Sequence, residues 1–374
     1  MNDATLNRMD GMTSAEQRLL SLDFFRGFTM FLLIAEGTEL FSKMIDPSFQ
    51  GTWIAAIGEQ FHHHPWHGMR FWDLVQPFFM FIVGVAIPFS VAKRMQRGDD
   101  YSRVLRHAIQ RSILLLLLGW GLYCIGPGRI TFRFQNVLAQ LSVTYLIAFL
   151  MMNKSFRVQL IFSFALIGLT ELLYRFFPVD GFNQAFEPGR NFGAYVDLLI
   201  SGELSSGHWV SFNAIPTTAH TMWGVLAGQW LMSNRKPNQK VLYLFLIGLI
   251  GVVVGYALDP LTPIIKRICT SSFVIVSGGW CLLALAFSYW LIDVMKIQKW
   301  SIVFAIVGMN PLFIYLFAEI GGGEFLHRIP YPFLMALFGW LGELYAEMLV
   351  GLATWGMLWY MCYWLYKRRI FIKI

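Results

Sequence analysis

The chain has 374 residues, of which 56% are hydrophobic and only 14% are charged. Soluble globular proteins usually carry about 25% charged residues, so this composition excludes an ordinary soluble protein and indicates one embedded in a lipid bilayer. The net charge of +7 does not indicate a nucleic-acid partner, because the basic residues lie in short clusters between apolar runs.

Ten apolar runs follow one another along the chain, and a helix of about 20 apolar residues crosses a membrane. The runs lie at 22–42, 71–92, 109–126, 135–152, 158–177, 214–232, 241–258, 270–292, 301–320 and 343–366. We therefore predict an all-α fold, a polytopic bundle of about ten transmembrane helices. The polar connections are too short for a second domain, so we expect an N-terminal cytoplasmic segment at 1–21 and a single transmembrane domain at 22–374.

The basic residues predict the orientation, because Lys and Arg are enriched in cytoplasmic loops. With a cytoplasmic N-terminus, about two thirds of the 29 Lys and Arg residues fall on the inner side, most clearly at 93–111 and 367–374. An even number of spans then puts both termini in the cytoplasm. The polar N-terminus lacks the apolar core of a signal peptide, so we expect the first apolar run to be retained as a span.

Charged residues occur at both ends of the first run. Asp23 and Arg26 lie three residues apart and share one face of a helix. A charge at the centre of a membrane helix costs at least about 2.5–3.5 kcal/mol, so such residues tend to be paired or functional. A local salt bridge and a site for a cytoplasmic anion both explain this pair. For Glu36 and Glu39, near the outer end, a solvated rim is the simpler explanation.

A cluster of histidines precedes the second run, whose first turn carries Asp73. The histidines are His62, His63, His64 and His67. A neutral imidazole is a good general base near neutral pH, and a carboxylate can fix its tautomer. Two other interpretations remain open, which are an exposed histidine run and a metal site.

Further polar residues interrupt the later apolar runs. Asn310 and Pro311 break the run that ends near Glu319, and Pro in a membrane helix permits a kink. Packing alone also explains this break. The remaining polar groups, each weak evidence by itself, are Arg111, Gln140, Thr144, Tyr145 and His220.

Five segments together resemble one known family. They are RLLSLDFFRG, HHPWHGMRFWDLVQPFFMFIVG, LAQLSVTY, VGMNPLFIY and YKRRIFIKI. They occur in the order seen in the heparan-alpha-glucosaminide N-acetyltransferase family, and the resemblance extends from Arg18 to Ile374. LDFFRG also looks like the start of the wider membrane acyltransferase superfamily, which O-acylates sugars. The combination is specific, whereas no single segment is.

The resemblance implies a transmembrane acyltransferase. Its expected reaction moves an acetyl group from cytoplasmic acetyl-CoA to an amino sugar or related glycan acceptor on the periplasmic side. By resemblance, His63 is the general base, Asp73 orients it, and Asn310 helps to position or polarise the thioester carbonyl. An acetyl-His63 intermediate and direct transfer in a ternary complex both remain open.

The resemblance and the charge pattern also suggest which residues contact each substrate. The residues expected to bind acetyl-CoA, the co-substrate, are Asp23, Arg26, Arg111, Gln140 and Tyr145. Those expected to bind the acceptor are His64, Trp66 and Glu319. No metal is expected, a homodimer is an option, and the expected location is the bacterial inner membrane.

Two departures from the family leave the acceptor open. This chain has Glu36, Gly37 and Thr38 where the animal enzyme has an Asn, and Ala318 where the animal enzyme has a His before the residue matching Glu319. The neighbouring histidines also make the choice of His63 depend on the alignment. The main alternative is a membrane transporter of small sugars or anions, which intramembrane charges and a Pro-broken helix also fit. A metal-handling or scaffold protein is the third hypothesis.

Overall fold

The computed structural model describes residues 19–125 and 128–372, and these are helical, with no β-strand. The α-helices are α1 (Leu20–Leu33), α2 (Leu40–Met44), α3 (Trp53–Gln60), α4 (Val75–Gln96), α5 (Tyr101–Ile125), α6 (Val137–Met151), α7 (Phe156–Phe176), α8 (Phe192–Ser201), α9 (Thr218–Met232), α10 (Pro237–Ala257), α11 (Ser271–Tyr289), α12 (Ile302–Val307), α13 (Pro311–Phe317), α14 (Gly323–His327), α15 (Tyr331–Phe338) and α16 (Glu343–Lys367). The prediction of an all-α fold is confirmed for these residues.

Short turns of other helix types connect or extend these helices. The 3-10 turns are Glu36–Thr38, Pro47–Phe49, Phe71–Leu74, Ser211–Ala214, Lys299–Ser301 and Gly339–Leu341, and the π-helical turns are Trp290–Val294 and Ala318–Gly322. Most of the predicted N-terminal segment 1–21 lies outside the described residues, and the assignment of a single domain at 22–374 stays a proposal.

Each of the ten predicted runs coincides with a helix, and the run at 301–320 with the pair α12 and α13. In the described part of the chain, six helical segments are long and apolar enough to cross a membrane, or seven if one pair bent by 59° is a single span. These segments are Phe71–Gln96, Tyr101–Ile125, Phe156–Phe176, Pro237–Ala257, Ser271–Val294 and Glu343–Lys367, with the pair Lys299–Val307 and Pro311–His327. The helices α1, α6 and α9 have only 14 or 15 residues, about 21–23 Å, so the number ten stays a prediction.

The central and peripheral helices differ in burial. In the most apolar stretch of α4 and its preceding turn, 78% of residues are buried, against 22% in α5 and in α7 and 17% in α10. Exposed side chains of α10 are apolar, among them Leu242, Phe245 and Val253. Apolar side chains that face outward are stable in lipid, so the multi-pass character follows from the way the helices pack.

Close packing fixes the position of α4. A Cβ atom added to Gly84 would lie 2.0 Å from the carbonyl oxygen of Thr221 in α9, and one added to Gly224 would lie 2.1 Å from that of Phe81. Small residues at such crossings let two helix backbones touch, a common device in membrane bundles. Because α4 follows directly on Asp73, this contact also fixes the predicted site.

The connections gather at the two ends of the bundle. We call one the site end, with connections 34–74, 128–136, 177–217, 258–270 and 318–342, and the other the tail end, with 97–100, 152–155, 233–236, 290–301 and 368–372. Connections of the site end contact one another: Trp66 Nε1 donates to Phe186 O and Gly68 N donates to Ile264 O, both at 2.8 Å. The helices therefore alternate in direction as expected, while the orientation in the membrane stays a prediction.

The predicted orientation can be tested with single cysteines in a variant that lacks the native ones. Cysteine at Asp180, exposed at the site end, should react with a membrane-impermeant maleimide in intact cells. Cysteine at Asn234, exposed at the tail end, should react only after the cells are permeabilised. Labelling is read by gel shift, and the opposite pattern would reverse the predicted topology.

Candidate functional site

The buried carboxylate of Asp73 is the centre of the site. Its Oδ1 lies 2.9 Å from His63 Nδ1. Its Oδ2 accepts the backbone N–H of Arg70 at 2.9 Å and that of His64 at 3.2 Å. The bond from Arg70 caps the 3-10 turn Phe71–Leu74, so the turn that leads into α4 also orients the carboxylate.

The histidines of this connection occupy distinct positions. His63 has its ring against Asp73. His62 bonds through Nδ1 to a backbone carbonyl of α3 at 2.8 Å. His67 bonds through Nε2 to the carboxylate of Asp259 at 2.9 Å, and both side chains of that pair are substantially exposed. Within this run, His63 is the histidine whose carboxylate partner is buried, and this is the geometry of an oriented base.

Lys266 completes the site and was missed by the sequence reasoning. Its Nζ lies 3.0 Å from His63 Nδ1 and 3.8 Å from Asp73 Oδ1, and its side chain is only 6% exposed. The indole of Trp209 covers the group, with its ring centroid 5.2 Å from Lys266 Nζ and 5.1 Å from the His63 centroid. The one sequence signal was a basic residue on the predicted outer side, where such residues are few.

Burial sets the protonation states of the two bases. Burial, together with the Lys266 ammonium, lowers the pKa of His63 to about 4, although Asp73 acts in the opposite direction. Burial also lowers the pKa of Lys266 to about 8, against the attraction of Asp73. At neutral pH the imidazole is therefore neutral and the lysine mostly charged.

The second ring nitrogen of His63 is available for chemistry. The side chain is 29% exposed, and Nε2 makes no hydrogen bond to any residue within 19–125 or 128–372. When Nδ1–H donates to Asp73, the lone pair is on Nε2. This nitrogen can then accept a proton from an amine or hydroxyl, or attack a carbonyl carbon.

The residues predicted for the donor lie at successive heights along the bundle. Asp23 and Arg26 are 4.0 Å apart at the tail end of α1. Arg111 lies over the ring of Tyr145, 4.7 Å from its centroid, between α5 and α6. Gln140, nearer the site end of α6, accepts a 2.6 Å hydrogen bond from a glutamine of α4.

The residues predicted for the acceptor lie around the site end. Trp66 donates to the connection 177–217 and is partly buried, so it holds that connection in place. Burial and the neighbouring charge of Glu36 raise the pKa of Glu319, and burial raises the pKa of Glu36 against the attraction of Lys266. Glu36, which stands where this chain departs from the family pattern, therefore belongs to the same group of charges as His63 and Lys266. The ring of His64 lies against Gly68, and its Nδ1 is buried with no partner among the described residues.

Asn310 is not brought to the His63 site. It is fully buried towards the tail end, where Nδ2 donates to Ile370 O at 3.0 Å and Oδ1 accepts from Ile372 N at 2.8 Å. Both halves of the amide thus hold the backbone of the C-terminal tail. The predicted contact with a thioester carbonyl would need one of these groups to be released, and the catalytic role of Asn310 stays a prediction.

The metal interpretation of the histidines finds no supporting geometry in the described ranges. No three His, Cys, Asp or Glu side chains are grouped there in a way that could hold a metal ion. His63 Nδ1, the best-positioned ring nitrogen, is already occupied by a carboxylate and an ammonium.

The chain is similar along almost its whole length to heparan-alpha-glucosaminide N-acetyltransferases. It is 24% identical to the Mus musculus protein over 427 residues, covering 96% of this chain and 61% of that protein. It is also 24% identical to the Homo sapiens protein over 433 residues, covering 97% of this chain and 61% of that protein. The chain thus spans about three fifths of the length of these relatives.

A family model agrees with this similarity. The model described as Domain of unknown function (DUF5009) matches residues 18–160, which include the His63 and Asp73 positions. The similarity is weak but extends over the full chain, and both named relatives are acetyltransferases.

The position of Asn310 predicts that it controls the C-terminal tail. Asn310→Leu removes two hydrogen bonds, worth about 1–3 kcal/mol together, and should release the tail. Trypsin cleavage after Arg368 and Arg369, followed by mass spectrometry, should become about tenfold faster. Gln298→Leu is the matched control, because that amide bonds to the carbonyl of Ile292 at the same end. Equal cleavage rates for wild type and Asn310→Leu would refute the tail-holding role.

Proposed function

We propose that this protein is a transmembrane acetyltransferase that moves an acetyl group from cytoplasmic acetyl-CoA to an amino sugar or related glycan acceptor at the site end. The observation that carries the proposal is the pair of His63 and Asp73, with a buried carboxylate on Nδ1 and a free Nε2. The full-length similarity to two N-acetyltransferases supports the same reaction class. The proposed location is the bacterial inner membrane, with the site end in the periplasm.

In the proposed reaction, the acceptor nitrogen or oxygen forms a bond to the thioester carbonyl carbon while His63 Nε2 takes its proton. The C–S bond then breaks. The proton then passes from the imidazolium to the CoA sulfur. Alternatively, Nε2 itself bonds to the carbonyl carbon, the C–S bond breaks and CoA leaves as the thiolate; the acceptor then attacks the acetyl carbon and the bond to Nε2 breaks. Both routes begin with the tautomer in which Nδ1–H donates to Asp73.

The donor is proposed to enter from the tail end. Asp23 and Arg26 at that end, Arg111 and Tyr145 further in, and Gln140 near the site end lie in the order that an extended CoA arm would meet them. Arg111 supports an anionic ligand in particular: no carboxylate of the described residues lies within 4.0 Å, and its Nε is buried without a hydrogen-bond partner. An arginine at membrane depth that contacts an aromatic ring but no carboxylate is expected to meet an anion.

The acceptor site is proposed to be acidic. Glu319 interacts electrostatically with Glu36, and Glu36 with Lys266, and carboxylates attract the ammonium form of an amino sugar. His64 and Trp66 form the neighbouring wall. We propose 22–374 as a single transmembrane acyltransferase domain, and a homodimer stays an option.

Turnover tests the role of His63. Purified protein receives radiolabelled acetyl-CoA and glucosamine as trial acceptor, and CoA release is followed with a thiol reagent. His63→Ala should reduce the rate about 10²–10⁴-fold, because a positioned general base contributes that much. Radiolabel retained on His63 without acceptor would select the covalent route.

The matched control is His67→Ala, which removes a neighbouring histidine that pairs with Asp259 away from Asp73. It should retain more than about a third of wild-type turnover, since a partly exposed ion pair contributes little. If the His63→Ala variant folds, binds the donor and turns over at the wild-type rate, His63 is not the general base.

A second test concerns the donor path. Arg111→Gln should raise the KM for acetyl-CoA about tenfold or more, because the charge-assisted contact to a phosphate is lost. The KM for S-acetyl-N-acetylcysteamine, a thioester without phosphates, should be unchanged. Arg106→Gln, an exposed arginine of the same helix, is the control. An equal change for both donors would place Arg111 outside the phosphate contacts.

One observation favours the transporter hypothesis as a second candidate. The helices Lys299–Val307 and Pro311–His327 meet at 59°, and broken helices line the substrate sites of many transporters. Uptake of labelled glucosamine into proteoliposomes without acyl donor would support transport. Uptake that requires acetyl-CoA would support the transferase.

A further inference from the structure

Burying the ammonium of Lys266 costs free energy. Its ammonium is almost fully buried, and among the described residues its one hydrogen-bond partner is His63 Nδ1, at 3.0 Å. One carboxylate oxygen, Asp73 Oδ1, lies within 4 Å. Removing a charge from water costs several kcal/mol before compensation, so a buried cation beside a base needs a chemical explanation.

The two neighbours of His63 compete for the same nitrogen. A neutral imidazole Nδ1 either donates its hydrogen to Asp73 or accepts one from Lys266, but it cannot do both. The first arrangement leaves the Nε2 lone pair free for the reaction, and the second puts the hydrogen on Nε2. A protonated His63 would satisfy Asp73 but would face the Lys266 ammonium at hydrogen-bond distance.

We infer that Lys266 is a positioning residue of the acyl-transfer site, which keeps Asp73 ionised and prevents His63 from being trapped as an imidazolium. The inference rests on the proposed function, because it assigns a purpose to the neutral form of His63. Lys266 acts through His63 and Asp73 and is not proposed to contact the reacting atoms.

The other charges around the site allow this assignment. His63 is faced by Asp73 from the turn before α4 and by Lys266 and Arg267 from the connection 258–270. Lys266 is faced by Asp73, Arg267, Glu36 from the end of the first span, and the thiol of Cys269. Lys266 is the cation within hydrogen-bond distance, whereas Arg267 donates to the carbonyl of Gly207.

Removing the ammonium should therefore raise the proton affinity of His63. In Lys266→Met the imidazolium would pair with Asp73 without the opposing ammonium, so the pKa of His63 should rise from about 4, by about one unit or more, while burial still acts against the charged form. A rise of about one unit lowers the neutral fraction at pH 5 from about nine tenths to about one half, so kcat/KM at pH 5 should fall about twofold or more relative to its high-pH plateau. Above pH 8 the variant should approach its own plateau.

The direct measurement is the pH dependence of His63 labelling. Diethylpyrocarbonate acylates neutral imidazole, and peptide mass spectrometry reads its rate at residue 63 without any turnover. The labelling midpoint should lie near pH 4 in wild type and in Lys266→Arg, and about one pH unit or more higher in Lys266→Met. Lys266→Gln, polar and uncharged, is measured in parallel in case the Met variant folds poorly.

The matched control is Lys240→Met. Lys240 is the buried lysine at the start of α10, where its Nζ donates to Leu231 O at 2.6 Å. It lies at the tail end, about 25 Å along the helix from the site end, and should leave the labelling midpoint unchanged.

The outcomes separate this inference from the proposed function. A labelling midpoint that stays near pH 4 in both uncharged variants would overturn the inference. A shifted midpoint with acetyl transfer whose pH profile follows it would support both proposals. The midpoint could also shift in a protein that transfers no acetyl group to any acceptor. That result would support the coupling between Lys266 and His63 and would overturn only the proposed acetyltransferase function.

Discussion

The buried carboxylate of Asp73 is the interaction on which the rest of the site depends. A buried carboxylate is tolerated only when it is paired and hydrogen-bonded, and Asp73 has an imidazole, an ammonium and two backbone N–H groups around it. These partners come from the histidine connection, from the turn before α4, and from the connection 258–270. The carboxylate therefore joins two segments that are far apart in sequence, and the close contact of α4 with α9 fixes the point at which they meet.

The membrane architecture separates two kinds of environment along one bundle. The alternating helices bring the long connections to the site end, where they enclose the His63 group under Trp209. At the other end the connections are short, and the C-terminal tail folds back onto Asn310. Between the ends, α4 is buried while α5, α7 and α10 expose apolar side chains. The proposed path of acetyl-CoA therefore runs between helices, away from the peripheral, lipid-facing surface.

The sequence predicts those parts of the site that are local in the chain. His63 and Asp73 are ten residues apart, and the apolar run after Asp73 identifies the helix start that orients it. Lys266 lies about two hundred residues away, in a connection with no pattern that links it to a histidine. Asn310 shows the opposite case: its place in a broken run suggested chemistry, yet its amide serves the backbone of a tail 60 residues further on. The positions of Lys266 and Asn310 both depend on long-range packing. No periodic pattern in a single sequence reveals such packing.

The charge balance of the site also accounts for a base that binds protons weakly. Asp73 and Lys266 carry opposite charges, so the group is neutral overall while His63 is uncharged, which suits a buried site of low dielectric. In the proposed reaction the proton rests on His63 only between the acceptor and the departing CoA sulfur. A thiol has a pKa of about 8.5, well above that of His63, so the return of the proton to sulfur is strongly favoured. A more basic histidine would accept the proton more readily but would release it more slowly, and would be charged before the acceptor arrived. The buried lysine thus favours turnover over simple proton capture.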